Sequence, residues 1–210
     1  MNLKERFLRN SLLYTEDQNL IGDLWSEIEK KYTEKGRHYH NLEHLENMFS
    51  ELDAVKDEIE NFPVISFSVF YHDIIYDATS KSNEEKSAEF AAIRLKKLNV
   101  DSHFIQKISE QIIATKSHHL SEDSDTNYLL DADLSILGKD SEVYFDYTKK
   151  IRKEYSIYPD LFYKPGRKKV LKHFLEQKDI FKTPIFKEKY EDITRKNIQM
   201  EIDGLLSCIY

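Results

Sequence analysis

One stretch of this chain has almost no freedom in where it lies. Phe67-Ser68-Val69-Phe70-Tyr71-His72-Asp73-Ile74-Ile75-Tyr76-Asp77 is apolar nearly throughout and belongs in a core, yet it carries an adjacent imidazole and carboxylate. A buried His beside a buried Asp calls for a partner, and a divalent cation is the simplest one. Other segments offer further ligands: His40 and His44 upstream, His118 and His119 downstream, and Asp131 and Asp133 beyond them. Nitrogen and oxygen donors without thiolate suit Mn, Fe, Mg, Zn or Ni, as one ion or two, and read as a hydrolytic metal site.

The scaffold around such a site follows from what the chain lacks. Only 5 Gly and 4 Pro among 210 residues disfavour a turn-rich β protein and leave few helix breakers, so an all-α fold is expected. That length suits a single compact domain over 1–210. A formal charge of -7 gives no global attraction for duplex nucleic acid or an anionic membrane, so any phosphate must be met locally. The lone Cys208 excludes an internal disulfide, and the N-terminus shows no signal-like apolar segment, which leads to the expectation of a cytoplasmic protein. Apolar runs are far below membrane-spanning length.

Periodicity gives the elements in order. Thr15 with Gln18 reads as a capping box opening a helix over 17–31, which Gly36 stops. Arg37 to Asn41 is a short polar connection into a helix carrying His44, and His40 shares a face with His44 if that helix begins by His40. Pro63 suits the first turn of a helix that is apolar all round and therefore central. Ser82 with Glu85 reads as a second capping box, for a helix reaching 98, and Ile105 to Ile113 mark another that runs out at Thr115 to His119, with the two histidines at its C-terminal end. Ser121 to Asn127 has the composition of an acidic loop, and Tyr128 to Gly138 reads as a buried helix closed by glycine. An amphipathic helix over 141–157, an aromatic loop over 158–166, a helix from Arg167 to Leu175 and a long helix from Thr183-Pro184 complete the chain.

The order His44, then His72-Asp73, then Asp133 resembles the H…HD…D signature of the HD-domain metal-dependent phosphohydrolase superfamily. That superfamily is all-helical, and the resemblance implies an HD-type helical bundle with His44, His72, Asp73 and Asp133 as metal ligands. Tyr39-His40-Asn41-x-x-His44 is similar to the Y-H-N-x-x-H element of cyclic-nucleotide phosphodiesterases, which implies His40 as general acid and His44 as ligand. Taken whole, the chain resembles a bacterial group called predicted metal-dependent HD phosphohydrolases. The resembling stretches are Arg37 to His44, His72 to Asp77, Asn83 to Ala88, Thr115 to His118, Leu130 to Gly138, Ile151 to Tyr155 and Gly166-Arg167. The implied partner is a small-molecule phosphate ester, nucleotide-like ones included.

Four polar residues in apolar helices would each cost about 1–3 kcal/mol if left unpaired, and one metal satisfies them together. Asp77 is a candidate for orienting the attacking water, and His118 for a second metal or a phosphate contact. Asp131 lies two positions from Asp133 and points elsewhere on a helix, so only one of the two is expected to be a ligand. The cations placed to grip a phosphate are Arg37, Lys81, Lys116, Arg152 and Arg167, with Arg37 foremost because it immediately precedes the His40 element. The competing reading is a non-catalytic metal-bearing module that binds a ligand or a partner helix.

Overall fold

The computed structural model describes residues 1–207; Cys208 lies outside them. The fold is all-α, with ten α-helices, two short 3₁₀ turns and no strand among the described residues. No helix is long and apolar enough to cross a membrane. The chain forms two compact units, Met1–Ala132 and the residues from Asp133 onward. No linker joins them, because the division falls inside one helix.

The first unit is built around α4 (Phe62–Tyr71), whose residues from Val64 to Tyr71 are all buried. Helices α1 (Leu3–Ser11), α3 (Leu42–Ala54), α5 (Asn83–Lys97) and α6 (Ser102–Ala114) pack on it. Phe7 of α1 sits edge-on to Phe70 with ring centroids 5.2 Å apart, and Phe49 of α3 meets Phe70 from 4.9 Å. Helix α1 escapes an apolar-periodicity reading, although Asn2 and Glu5 form a capping box that marks its start. Inside the core Ser68 Oγ donates to Gln111 Oε1 at 2.6 Å, so the polar interruption in α4 is paired.

Both sequence-expected capping boxes are corrected. Helix α2 (Gln18–Tyr32) is capped by Asp17, whose side chain accepts from Leu20 N, while Thr15 accepts from the Asp17 N–H. At α5 Ser82 makes no side-chain cap bond, and the Glu85 carboxylate pairs with Lys116 instead. The acidic stretch 121–127 is also not a loop throughout, since α7 (Ser124–Leu134) begins within it. Asp125 explains why: its carboxylate is buried and accepts from Glu60 N at 2.8 Å and Asn61 N at 2.9 Å, which pins the start of α7 to the start of α4.

In the second unit a 3₁₀ turn (Ser135–Gly138) follows α7 and contacts α8 (Ser141–Glu154) and α10 (Pro184–Ser207). Gly138 is there for space and not for capping, since a Cβ on it would lie 2.6 Å from Tyr190 Cβ. The expected aromatic loop over 158–166 is instead the start of α9 (Asp160–Glu176), which contains Pro165. Arg152 organises that start by donating to Tyr155 O, Tyr158 O and the Asp160 carboxylate.

Candidate metal centre

The site begins where α4 ends. His72 is the C-cap of α4, and Asp73 lies just past it, so the His-Asp pair straddles a helix terminus and is not inside a helix. His72 is 1% exposed. Its Nδ1 is 2.9 Å from Val69 O, and a carbonyl only accepts, so Nδ1 carries a proton and Nε2 faces the other side of the ring. That Nε2 lies 3.0 Å from Asp73 Oδ2 and 3.2 Å from His44 Nε2.

His44 arrives from α3. Asn41 caps that helix by accepting from Glu43 N and His44 N, which places His44 in the first turn and buries its ring. His44 Nε2 and Asp73 Oδ2 are 3.9 Å apart. Two donors at right angles around an ion, each about 2.1 Å from it, lie about 3 Å apart, so the two shorter separations match adjacent positions of one coordination sphere. Asp133 rides on the last turn of α7, a continuous helix whose nine preceding residues, 124–132, belong to the first unit. His44, His72 and Asp133 each offer one ligand atom, and those atoms all lie within 4.8 Å of one another. It is the one group of three or more such ligands found among the described residues.

His40 flanks this cluster without being on α3, which starts two residues later at Leu42. Its Nε2 is 3.9 Å from Asp73 Oδ2, and its ring stacks on Tyr76 with centroids 4.2 Å apart and planes 27° from parallel. The ring lies 6.0 Å from that of His44 between centroids, so the neighbourhood expected of the two residues arises from the loop and not from a shared helix face.

Arg37 donates from Nη1 to His40 O at 3.0 Å and Asp73 O at 2.7 Å, and from Nη2 to Ile74 O at 3.0 Å, with its side chain only 3% exposed. Asp77 is exposed and turned onto its own loop, where Thr79 N and Thr79 Oγ1 donate to it and hold its carboxyl below the usual range. Lys116 donates to Lys81 O and pairs with Glu85, whose carboxyl it holds below the ordinary range, while the Lys81 side chain is exposed. Arg167 is in the second unit, paired with Glu201. Arg152 is there too, on Asp160. His118 closes the end of α6 in the left-handed region at φ 51°, its N–H donating to Ala114 O, and His119 is exposed. Asp131 is fully buried and outside the metal-ligand group, and His38, His103 and His173 are exposed.

Three contributors went unread in the sequence: Tyr76 beneath His40, Tyr32, whose hydroxyl accepts from Asp73 N at 3.3 Å, and the Val69 carbonyl. Tyr76 lies four residues past His72 within the singled-out stretch, while Tyr32 carries no local signal at all. No protein family, curated protein or solved structure matches the chain.

Proposed function

We propose that this protein is a metal-dependent phosphohydrolase of the HD type, in which His44, His72, Asp73 and Asp133 hold a divalent cation and His40 protonates the leaving group. The orientation of His72 supports this reading most. With Nδ1–H given to Val69, the Nε2 atom of His72 lies 3.0 Å from a carboxylate oxygen and 3.2 Å from a second imidazole nitrogen, a grouping of nitrogen and oxygen atoms that one cation would bind together. A cation bound there supplies Lewis acidity that polarises a phosphoryl oxygen and makes water nucleophilic near neutral pH. His72 is kept in one tautomer by Val69, and His44 is presented by the Asn41 cap. His40, 19% exposed in its side chain, sits at the rim, where its Nε2 can hand a proton to a departing alkoxide.

The substrate class we infer is a small-molecule phosphate ester, nucleotide-like ones included, acted on in the cytoplasm, where a lone cysteine stays reduced. In this reading Asp77 holds its own loop and Arg37 holds backbone carbonyls, and neither is assigned the proton transfer. Elemental analysis of protein purified without chelator, followed by a phosphate-release screen over nucleotides with added Mn, tests the proposal. Bound divalent metal with release from at least one substrate is the expected result. Metal without turnover would favour a non-catalytic binding module, and absence of metal would overturn the reading.

A further inference from the structure

Two loops border this site, and the buried Arg37 side chain joins them. The first, Arg37 to Asn41, carries His40; the second, His72 to Asp77, carries Asp73 and Tyr76. Both hydrogens of Arg37 Nη1 are given away, one to the His40 carbonyl and one to the Asp73 carbonyl, and Nη2 reaches the Ile74 carbonyl. The guanidinium carbon lies 5.0 Å from the Tyr32 ring centroid and 5.6 Å from that of Tyr76. Those tyrosines act on the same two residues, because Tyr32 accepts from the Asp73 N–H and Tyr76 stacks on the His40 ring. The Arg37 Nε lies 4.0 Å from Glu34 Oε2, which offsets its charge from behind.

We propose that Arg37 is a positioning residue that fixes the His40 ring relative to the Asp73 carboxylate, and that it does not grip substrate. This rests on the reading of His40 as general acid and Asp73 as metal ligand. A phosphate approaching Arg37 would meet a side chain 3% exposed, with a single Nη hydrogen left to give. Three carbonyls in two loops require the planar fork of an arginine, and a lysine ammonium has neither the reach nor the geometry to replace it.

Arg37→Lys is the discriminating variant, since it keeps the charge and loses the fork. On alkyl phosphate esters it should lose kcat about 10–100-fold with KM unchanged, and lose much less on nitrophenyl phosphate, which needs no proton. At saturating Mn, in the His40→Ala background, it should cost nothing further on alkyl esters, because its effect on kcat acts through His40. Mn affinity, measured by calorimetry, should fall about tenfold, as for other residues that orient a ligand from behind. A raised KM on every ester, with losses that add to those of His40→Ala, would show a substrate grip and overturn the proposal. Amide hydrogen exchange on metal-free protein keeps the inference separable from the phosphohydrolase reading. Segments 37–41 and 72–77 should exchange faster together in Arg37→Lys, and wild-type exchange in both would overturn the clamp even if no ester is ever hydrolysed. If the clamp shows in exchange and no ester is turned over by wild-type protein, the phosphohydrolase reading falls and the positioning role stands.

Discussion

Both units bury a cluster of polar side chains, and the two clusters are built on opposite principles. In the second unit Arg167 forks onto Glu201 at 2.8 and 3.1 Å, Tyr144 donates its hydroxyl to the same carboxylate at 2.5 Å, and the Tyr147 oxygen lies 3.4 Å from both Arg167 Nη atoms. One cation meets one anion, and the Tyr144 hydroxyl gives the same carboxylate a further donor, so the charges of this cluster are matched within it. In the first unit His44, His72 and Asp73 bring two imidazoles and a carboxylate within 3.0–3.9 Å of one another, while the nearby arginine is turned onto backbone carbonyls. Burial of polar groups is common to both. Under the proposed reading the first is a place for a cation, and the second, with its own arginine, is not.

If that contrast is right, Asp73→Ala should remove all detectable Mn binding and with it the stabilisation that Mn confers on wild-type protein, about 2.7 kcal/mol at a hundredfold excess over Kd. Thermal unfolding with and without Mn reads it directly; an unchanged Mn-induced rise in Tm in the variant would place the metal elsewhere. His40→Ala should leave Mn binding intact and lower kcat on alkyl esters by roughly 10²–10⁴-fold, with a smaller deficit on nitrophenyl phosphate. Loss of metal in that variant would make His40 a ligand and redraw the first cluster.

The second cluster should respond in stability alone. Breaking it with Glu201→Leu strands a buried guanidinium and should cost about 3–5 kcal/mol in chemical denaturation, while Arg167→Met with Glu201→Leu together should recover much of that loss. Mn affinity should not move in either; a change there would mean the two clusters are not independent. The smallest effect expected is alkaline. Burial raises the Tyr163 hydroxyl to about 12, against the partial relief of Arg167. A folded-state pKa above the unfolded value gives stability that is full below the ordinary tyrosine range and lost as pH rises from there through about 12. Tyr163→Phe should therefore flatten the fall in unfolding free energy with pH in that window, and an unchanged slope would remove Tyr163 from the account.

Much of this could be read before any fold was known. Helices α2 to α6, α8 and α10 are legible because each has apolar residues at helical spacing, and α4 because it is apolar on every side. Errors cluster where a distant group replaced a local one. Ser82 and Glu85 have the spacing of a capping box, but Lys116 takes the Glu85 carboxylate; Pro165 and Gly166 look like a break, but Arg152 holds the turn before them and α9 runs through. The start of α7 was hidden in acidic residues because Asp125 finds its donors at Glu60 and Asn61, over sixty positions earlier.

For the site, the sequence by itself determined the chemistry of the ligand atoms and the apolar setting of His72-Asp73, since both follow from residue type and pattern. What His40 rests on, which way His72 faces and what Arg37 does were decided only by the tertiary structure. Those three depend on the Val69 carbonyl, the Tyr76 ring and the carbonyls of Asp73 and Ile74. Every backbone carries carbonyls at every position, so no sequence pattern distinguishes the ones a side chain will find. Arginine before a histidine-rich element therefore reads as a phosphate grip from its charge alone, and becomes a brace once the loop it belongs to closes on a second loop thirty-six residues away.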